Sequence, residues 1–221
     1  LSSLLGSSRH LFREAGFPRA VADRSNYIAS YFFDAARDEY DDHINPARDS
    51  HRCMAQAALI SMKDFFKLGD DALEEDEPAE LVAVNDGVLA GYTGQPAVAD
   101  GRAAQAFWAI GYHLGSELLA DQEFSLIDEH LRAQQPALVH HLMRSTVHLA
   151  GGTHRCYAWV GVHSGHGGGV EADPFDYALE GAHSALRFLV GGDTAAAVQA
   201  LNNGFRAFER DHARFFRIGA A

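Results

Sequence analysis

The sequence predicts an all-α protein, folded as a compact bundle of seven or eight helices. Apolar residues recur at i, i+3, i+4 and i+7 along most of the 221 residues, which is the spacing of amphipathic helices. No convincing stretch follows the period of two typical of half-buried strands, and no internal repeat appears. Apolar residues make up 47% and charged residues 22% of the chain, as in ordinary globular proteins. A chain of this length supports one sizeable core, so we expect a single domain over residues 1–221.

The helix boundaries follow from residues that cap or break helices. Phe17-Pro18 ends the first helix, Ser50 is the candidate N-cap of the third, and Gln135-Pro136 closes the longest. The predicted helices span residues 4–14, 18–40, 51–68, 79–92, 102–134, 136–163 in two pieces with a kink at Gly151-Gly152, 170–190 and 194–217. The predicted connections are an acidic solvated run, a loop and a glycine-rich hinge, at residues 70–78, 91–101 and 164–169.

Charge and cysteine content exclude several classes of partner. The net charge of −12 repels phosphate backbones and anionic lipid surfaces, so we expect neither nucleic acid nor a membrane as partner. The first residues are too polar for a signal peptide, and no apolar run reaches the ~18 residues of a membrane span. The only cysteines, Cys53 and Cys156, lie inside apolar helical patterns, which argues against a disulfide and favours a reducing cytoplasm.

On five predicted helices the apolar face continues into a side chain of a metal-binding type. In the helix through Phe107, Ile110 and Leu114 this face runs into Glu117, with His113 one turn earlier. The corresponding residues of the other four helices are Glu39, His51, His163 and Glu171. The set comprises three carboxylates and two imidazoles.

Such a set is costly to bury without a cation. A lone carboxylate in a core costs several kcal/mol unless it is paired or binds a metal. Carboxylates and imidazoles on facing helices are the ligands of non-haem di-iron and di-manganese sites. The simpler interpretation is that each histidine is a satisfied core residue and each glutamate lies half exposed at the edge of its face. His113 is a candidate ligand or a residue that orients one.

Longer stretches of the chain resemble a known superfamily. They are "DEYDDHINPARDSH", "FWAIGYHLGSELLADQEF", "YAWVGVHSG" and "VEADPFDYALEGAHSAL", and they resemble the haem-oxygenase-like di-iron oxidases and oxygenases over about residues 25–217. The resemblance implies a haem-oxygenase-like helical bundle that binds two Fe(II) ions per chain. It also implies that Glu39 and His51 act as ligands that match the superfamily's first ligand region, Glu117 the second, and His163 with Glu171 the third.

The third helix departs from the superfamily's H-x-x-x-[D/E]-x-x-H pattern. His163 and Glu171 are eight residues apart where the pattern has four, so His166 is an alternative to His163. The final histidine of the pattern falls on Pro174, which cannot bind a metal. Asp176 and His183, which follow Pro174 in the sequence, are candidate substitutes for this histidine.

The resemblance also implies a chemistry. Two Fe(II) ions and O2 would attack a C–H bond of a small aliphatic substrate, with desaturation, cyclisation or hydroxylation of an amino acid in natural-product biosynthesis as the favoured outcome. Within the superfamily the short length and the composition favour the small members that act on amino acids, and the type that the chain resembles is the azetidine-forming amino-acid oxidase of polyoxin biosynthesis. Oxidative decarboxylation of a fatty acid stays open, and so does a homodimer.

A metal-free function is the second alternative. The chain is also similar to thiaminase-like and cofactor-synthesis proteins of the same fold, which bind heteroaromatic ligands. A stacking platform would be formed by Trp108, Tyr112, Tyr157 and Trp159, although core packing is the simpler role for these rings.

Overall fold

The computed structural model describes residues 28–32, 51–69, 79–149, 151–164, 172–190 and 193–219. Residues 28–32 are helical, and the elements that follow are listed in chain order. They are α1 (His51–Phe66), α2 (Ala79–Tyr92), a 3-10 helix (Gln95–Asp100), α3 (Arg102–Gln134), α4 (Pro136–Arg144), β1 (Thr146–Leu149), β2 (Gly152–Arg155), α5 (Ala158–His163), α6 (Ala172–Phe188) and α7 (Thr194–Gly219). The prediction of an all-α helical bundle is confirmed, with one small two-stranded sheet in the described part.

The chain forms two compact units. The first comprises Leu1–Asp34, Glu77–Leu118 and Asp173–Ala221, and the second comprises Ala35–Asp76 and Leu119–Ala172. Each unit has its own hydrophobic core. The single domain expected over residues 1–221 stays a prediction.

The core of the first unit combines large buried side chains of residues 28–32 and α3 with buried alanines of α6 and α7. Its buried members are Ile28, Phe32, Phe107, Ile110, Leu114, Ala178, Ala182, Ala185, Ala197 and Ala200. They include Phe107, Ile110 and Leu114, the apolar face that the sequence predicted for α3. Helix α7 begins at a capping residue, because the carboxylate of Asp193 accepts a hydrogen bond from the backbone N–H of Ala196 at 2.9 Å.

Small residues let α3 and α7 approach each other closely in this unit. A Cβ atom placed on Gly111 would lie 1.9 Å from the carbonyl oxygen of Leu201, and one placed on Gly204 would lie 2.0 Å from that of Trp108. No side chain fits at either point, so the two backbones cross in direct contact.

The second unit is built on α1, α4, α5 and the small sheet. Its buried core members are Ala57, Leu138, Val139, Leu142, Cys156, Tyr157 and Val160. Cys53 and Cys156 are both buried, and no disulfide joins them. Burial raises the pKa of the Cys156 thiol, which keeps it protonated.

The segment after α4 differs from the prediction. We expected two helices over residues 136–163 with a kink at Gly151-Gly152, and the structure has a β-hairpin between α4 and α5. The two strands pair antiparallel with Thr146 opposite Arg155, and Gly151 adopts a positive φ of 83° in the turn. The ring of His154 donates to the carbonyl of Leu149 at 3.1 Å across the turn. The glycines thus form a turn where we expected a helix kink.

A second correction concerns residues 91–101, which were predicted as a loop. Beyond the end of α2 this stretch contains a 3-10 helix, Gln95–Asp100, that Gly94 precedes in the left-handed conformation, with a φ of 64°. Proline near its first position favours this short helix, because proline's φ is already helical.

No helix in the part of the chain that the structure describes combines the length and apolarity required to cross a membrane. The predicted helices at residues 4–14 and in most of 18–40, the acidic connection and most of the glycine-rich hinge lie outside the described residues.

Candidate metal centre

The structure brings together two of the histidines that the sequence singled out. His51 is the first residue of α1 and His163 is the last residue of α5, both in the second unit. Their ring centroids lie 4.6 Å apart, and the ring planes are inclined at 54°. Two imidazoles that are 112 positions apart in the sequence therefore form a pair at the junction of two helix ends.

The ring of His163 is held by two further contacts. Its Nδ1 lies 2.6 Å from the carbonyl oxygen of Trp159, one turn earlier on α5. A carbonyl only accepts, so Nδ1 carries the proton, and the neutral ring then has its lone pair on Nε2. Phe124 of α3 stacks on one face of the same ring, with centroids 4.4 Å apart and an interplanar angle of 26°. A proton donated by one ring nitrogen to a carbonyl is the arrangement found in metal-binding histidines.

A second predicted pair lies in the first unit. The carboxylate of Glu117 and Nδ1 of His113 are 3.5 Å apart on successive turns of α3. Their side chains are 24% and 13% exposed, so both are largely removed from water. Phe32 and Tyr92 lie against the His113 ring at centroid distances of 5.4 and 6.1 Å. The partly apolar surroundings agree with the predicted apolar face, and the carboxylate has an imidazole beside it.

The remaining candidates are placed as follows. Glu39, Glu171 and His166 lie outside the described residues. Asp176 and His183 are exposed on α6, which gives no support for a role as substitute ligands. Within the described ranges, no three residues of the types His, Cys, Asp and Glu are grouped so that they could hold a metal ion. The described candidates therefore form two pairs, one within each unit.

The His51–His163 pair fits a metal ion in chemistry and spacing. Two imidazoles that bind one ion at about 2.1 Å have centroids about 4.5–5.2 Å apart. The observed 4.6 Å falls within this range. Imidazole nitrogen suits iron as well as zinc, copper and nickel, so the pair does not by itself select one of them.

One buried carboxylate was missed by the sequence analysis. Asp128 of α3 has no exposed surface, accepts a hydrogen bond from the hydroxyl of Tyr157, and accepts two from Nε of Arg132 at 2.9 and 2.8 Å. Its signal was present, because Asp128 follows Phe124 by four positions and so lies on the same helix face. Burial and the hydrogen bond to Asp128 raise the pKa of Tyr157, which keeps the phenol protonated as the donor.

The four aromatic residues of the alternative stacking platform have different surroundings. Tyr112 and Tyr157 are buried, and each donates its hydroxyl to a carboxylate, that of Asp211 at 3.0 Å in the case of Tyr112. These two rings are core residues. Trp108 differs, because its Nε1 is the one buried side-chain nitrogen or oxygen without a hydrogen-bond partner among the residues described.

Comparison of the chain with protein-family models, with curated proteins and with solved structures finds no match.

Proposed function

We propose that the protein binds a transition metal through His51 and His163 and acts as a non-haem di-iron, O2-dependent oxidase or oxygenase. The favoured substrate is a small aliphatic amino acid, attacked at a C–H bond. The observation that carries the proposal is the contact between the two imidazole rings at 4.6 Å. The ligand types predicted from the sequence and the resemblance to haem-oxygenase-like di-iron enzymes support iron as the metal.

The chain's own residues have definite tasks in this proposal. His163 would bind the metal through Nε2, because its Nδ1–H donates a hydrogen bond to the Trp159 carbonyl. This hydrogen bond fixes the tautomer and the orientation of the ring. Phe124 covers one face of that ring and keeps water from it. Iron, when bound, would supply the activation of O2, and the protein would supply ligands and an apolar surround.

Of the three carboxylate ligands proposed from the sequence, Glu117 lies within the residues that the structure describes. Its contact with His113 gives it an imidazole neighbour at 3.5 Å, and its 24% exposure leaves the carboxylate partly accessible to an ion. A carboxylate with an adjacent imidazole resembles the support that orients metal ligands in other proteins.

The experiment is an anaerobic Fe(II) titration of metal-stripped protein. We expect uptake close to two ions per chain, as in carboxylate-bridged bundle proteins. His51→Ala and His163→Ala should each reduce it, whereas His130→Ala, which removes an exposed histidine of α3, should not. O2 consumption with aliphatic amino acids, and separately with a fatty acid, then distinguishes the two substrate classes. Wild-type uptake no greater than that of a His51→Ala/His163→Ala double variant would refute the proposal.

A metal-free ligand-binding function is the second candidate. The unpartnered Nε1–H of Trp108 favours it, since a buried donor without an acceptor costs about 1–3 kcal/mol and a heteroaromatic ligand would provide the acceptor. Nitrogen heterocycles such as pyrimidines and thiazoles are the probes. Under this alternative they quench tryptophan fluorescence in the wild type and not in Trp108→Phe, and iron uptake is at background.

A further inference from the structure

Helix α5, which ends at His163, is too short to hold its own position. It spans six residues, Ala158–His163, and Tyr157 at its start forms no side-chain cap. Helices of this length are unstable in isolation because nucleation costs more than a single turn returns. Contacts with the rest of the second unit must therefore determine where the His163 ring lies.

The first end of α5 is attached to α3 through a buried carboxylate. The hydroxyl of Tyr157 donates to Asp128, and the guanidinium of Arg132 balances the charge of that carboxylate at 2.8 Å. The same guanidinium lies 5.5 Å from the centre of the Tyr157 ring. Tyr157 is thus held by its hydroxyl and by its ring face.

The last end of α5 is attached to the same face of α3. Phe124 precedes Asp128 by four positions, which places the two side chains one above the other on the helix. The Phe124 ring contacts Trp159 edge to face at 4.9 Å and stacks on His163 at 4.4 Å. One turn of α3 therefore contacts both ends of α5.

We propose that Asp128 is a positioning residue for His163, acting through Tyr157 to fix the start of α5 while Phe124 fixes its end. The inference rests on the proposed function, because it assigns these residues the task of presenting a metal ligand. Asp128 touches neither the metal nor the substrate. It keeps the His163 ring within hydrogen-bonding distance of the Trp159 carbonyl. The proton therefore stays on Nδ1, and Nε2 is the nitrogen that binds the metal.

The chain offers a matched pair of variants for the test. Tyr157→Phe and Tyr112→Phe each remove the hydroxyl from a buried tyrosine that donates to an aspartate, Asp128 in one case and Asp211 in the other. Tyr112 belongs to the first unit, whereas α5 belongs to the second. Both variants thus lose the same kind of buried hydrogen bond. Only Tyr157→Phe should disturb the position of His163.

Two measurements decide the outcome. Nitrogen NMR of the metal-free protein reports which nitrogen of His163 carries the proton, and we expect a mixture of tautomers in Tyr157→Phe but the Nδ1–H form in wild type and Tyr112→Phe. Titration with Co(II) gives the affinity, and we expect a loss of about tenfold in Tyr157→Phe, the lower end of the range for residues that orient ligands. Identical tautomers and affinities in Tyr157→Phe and wild type would overturn the inference.

The inference and the proposed function fail in different ways. If wild type binds no Co(II) or Fe(II), the function is wrong, and the NMR comparison still decides whether Tyr157 positions His163. If wild type binds metal but Tyr157→Phe matches it, the function stands and the positioning role is wrong. Should Tyr157→Phe not fold, Phe124→Leu replaces it, since this variant keeps an apolar side chain and removes only the stacked ring. We expect the same mixture of tautomers from it.

Discussion

The carboxylate of Glu117 lies 3.5 Å from Nδ1 of His113, on the face of α3 that also carries the buried side chains of Ile110 and Leu114. The apolar pattern of this helix raised the question of why such a face should end in an acid and an imidazole. The structure answers in part, because each of the two polar groups has the other as a neighbour.

Replacing Glu117 by Ala should lower Fe(II) uptake. The predicted ligand set requires this carboxylate, so we expect stoichiometry to fall from about two ions per chain to about one. Glu129→Ala is the control, since Glu129 lies exposed on the same helix. Unchanged uptake in Glu117→Ala would show that the acid serves a structural pair with His113 and no metal.

Two glycine substitutions should have opposite effects on stability. Gly111→Ala introduces a methyl group 1.9 Å from the Leu201 carbonyl, and we expect a loss of about 3 kcal/mol in the free energy of unfolding as the helices are forced apart. Gly161→Ala, in α5, meets nothing within 4 Å and should be neutral or stabilising by up to about 1 kcal/mol. Urea denaturation measures both. A Gly111→Ala variant as stable as the wild type would contradict the direct backbone contact.

The buried tyrosines should make the fold sensitive to alkali. Burial, and then the hydrogen bond to a carboxylate, raises the pKa of Tyr112 and of Tyr157 well above the ordinary value of about 10. Below about pH 10 both tyrosines are protonated in the folded and unfolded states, so their contribution is complete. Above it only the unfolded state loses the protons, and stability falls by up to about 1.4 kcal/mol per pH unit for each tyrosine.

Urea unfolding between about pH 8 and about pH 11 tests this expectation. The decline above about pH 10 should be shallower in Tyr112→Phe and in Tyr157→Phe than in wild type. Tyr177→Phe, which changes an exposed ring, should keep the wild-type slope. Equal slopes in all four proteins would mean that neither buried phenol stays protonated in the folded state.

Removal of the Arg132 guanidinium should destabilise the protein, because it leaves the buried carboxylate of Asp128 without its positively charged partner. Arg132→Met keeps the apolar stem, and it deprives the fully buried Asp128 of its guanidinium neighbour. The arginine side chain is 41% exposed, so we expect a loss of about 2 kcal/mol, less than for a wholly buried pair. Adding Asp128→Asn should recover part of this loss because it removes the uncompensated charge. A double variant less stable than Arg132→Met alone would contradict the argument.

The helices were predictable from the sequence where their apolar faces are long. The bounds of α2 and α3 agree with the prediction at both ends, because proline, glycine and a sustained period of 3.6 mark them. The hairpin was missed although its strands do alternate, with Val147 and Leu149 inward and Thr146 and His148 exposed. Four residues per strand are too few to outweigh the helical pattern on either side, and the glycines suit a kink as well as a turn.

In the candidate site, contacts within one helix were predictable from the sequence, and contacts between helices were not. A helical wheel places His113 beside Glu117, since both belong to one helix. It cannot place His51 beside His163, because that contact depends on how α1 and α5 pack. Asp128 was not predicted for a different reason: the candidate ligands lie at the ends of apolar faces, whereas this acid lies in the interior of one.

The contact between α3 and α7 also has a consequence for recognising relatives of this chain. At Gly111 and Gly204 the partner is a carbonyl oxygen of the opposite backbone, so no side-chain adjustment can make room for a larger residue. A homologue that retains the crossing must retain glycine at both positions through any amount of divergence elsewhere. Two glycines at the equivalent separation, each within a helix, are thus an evolutionary signature that should outlast overall sequence identity.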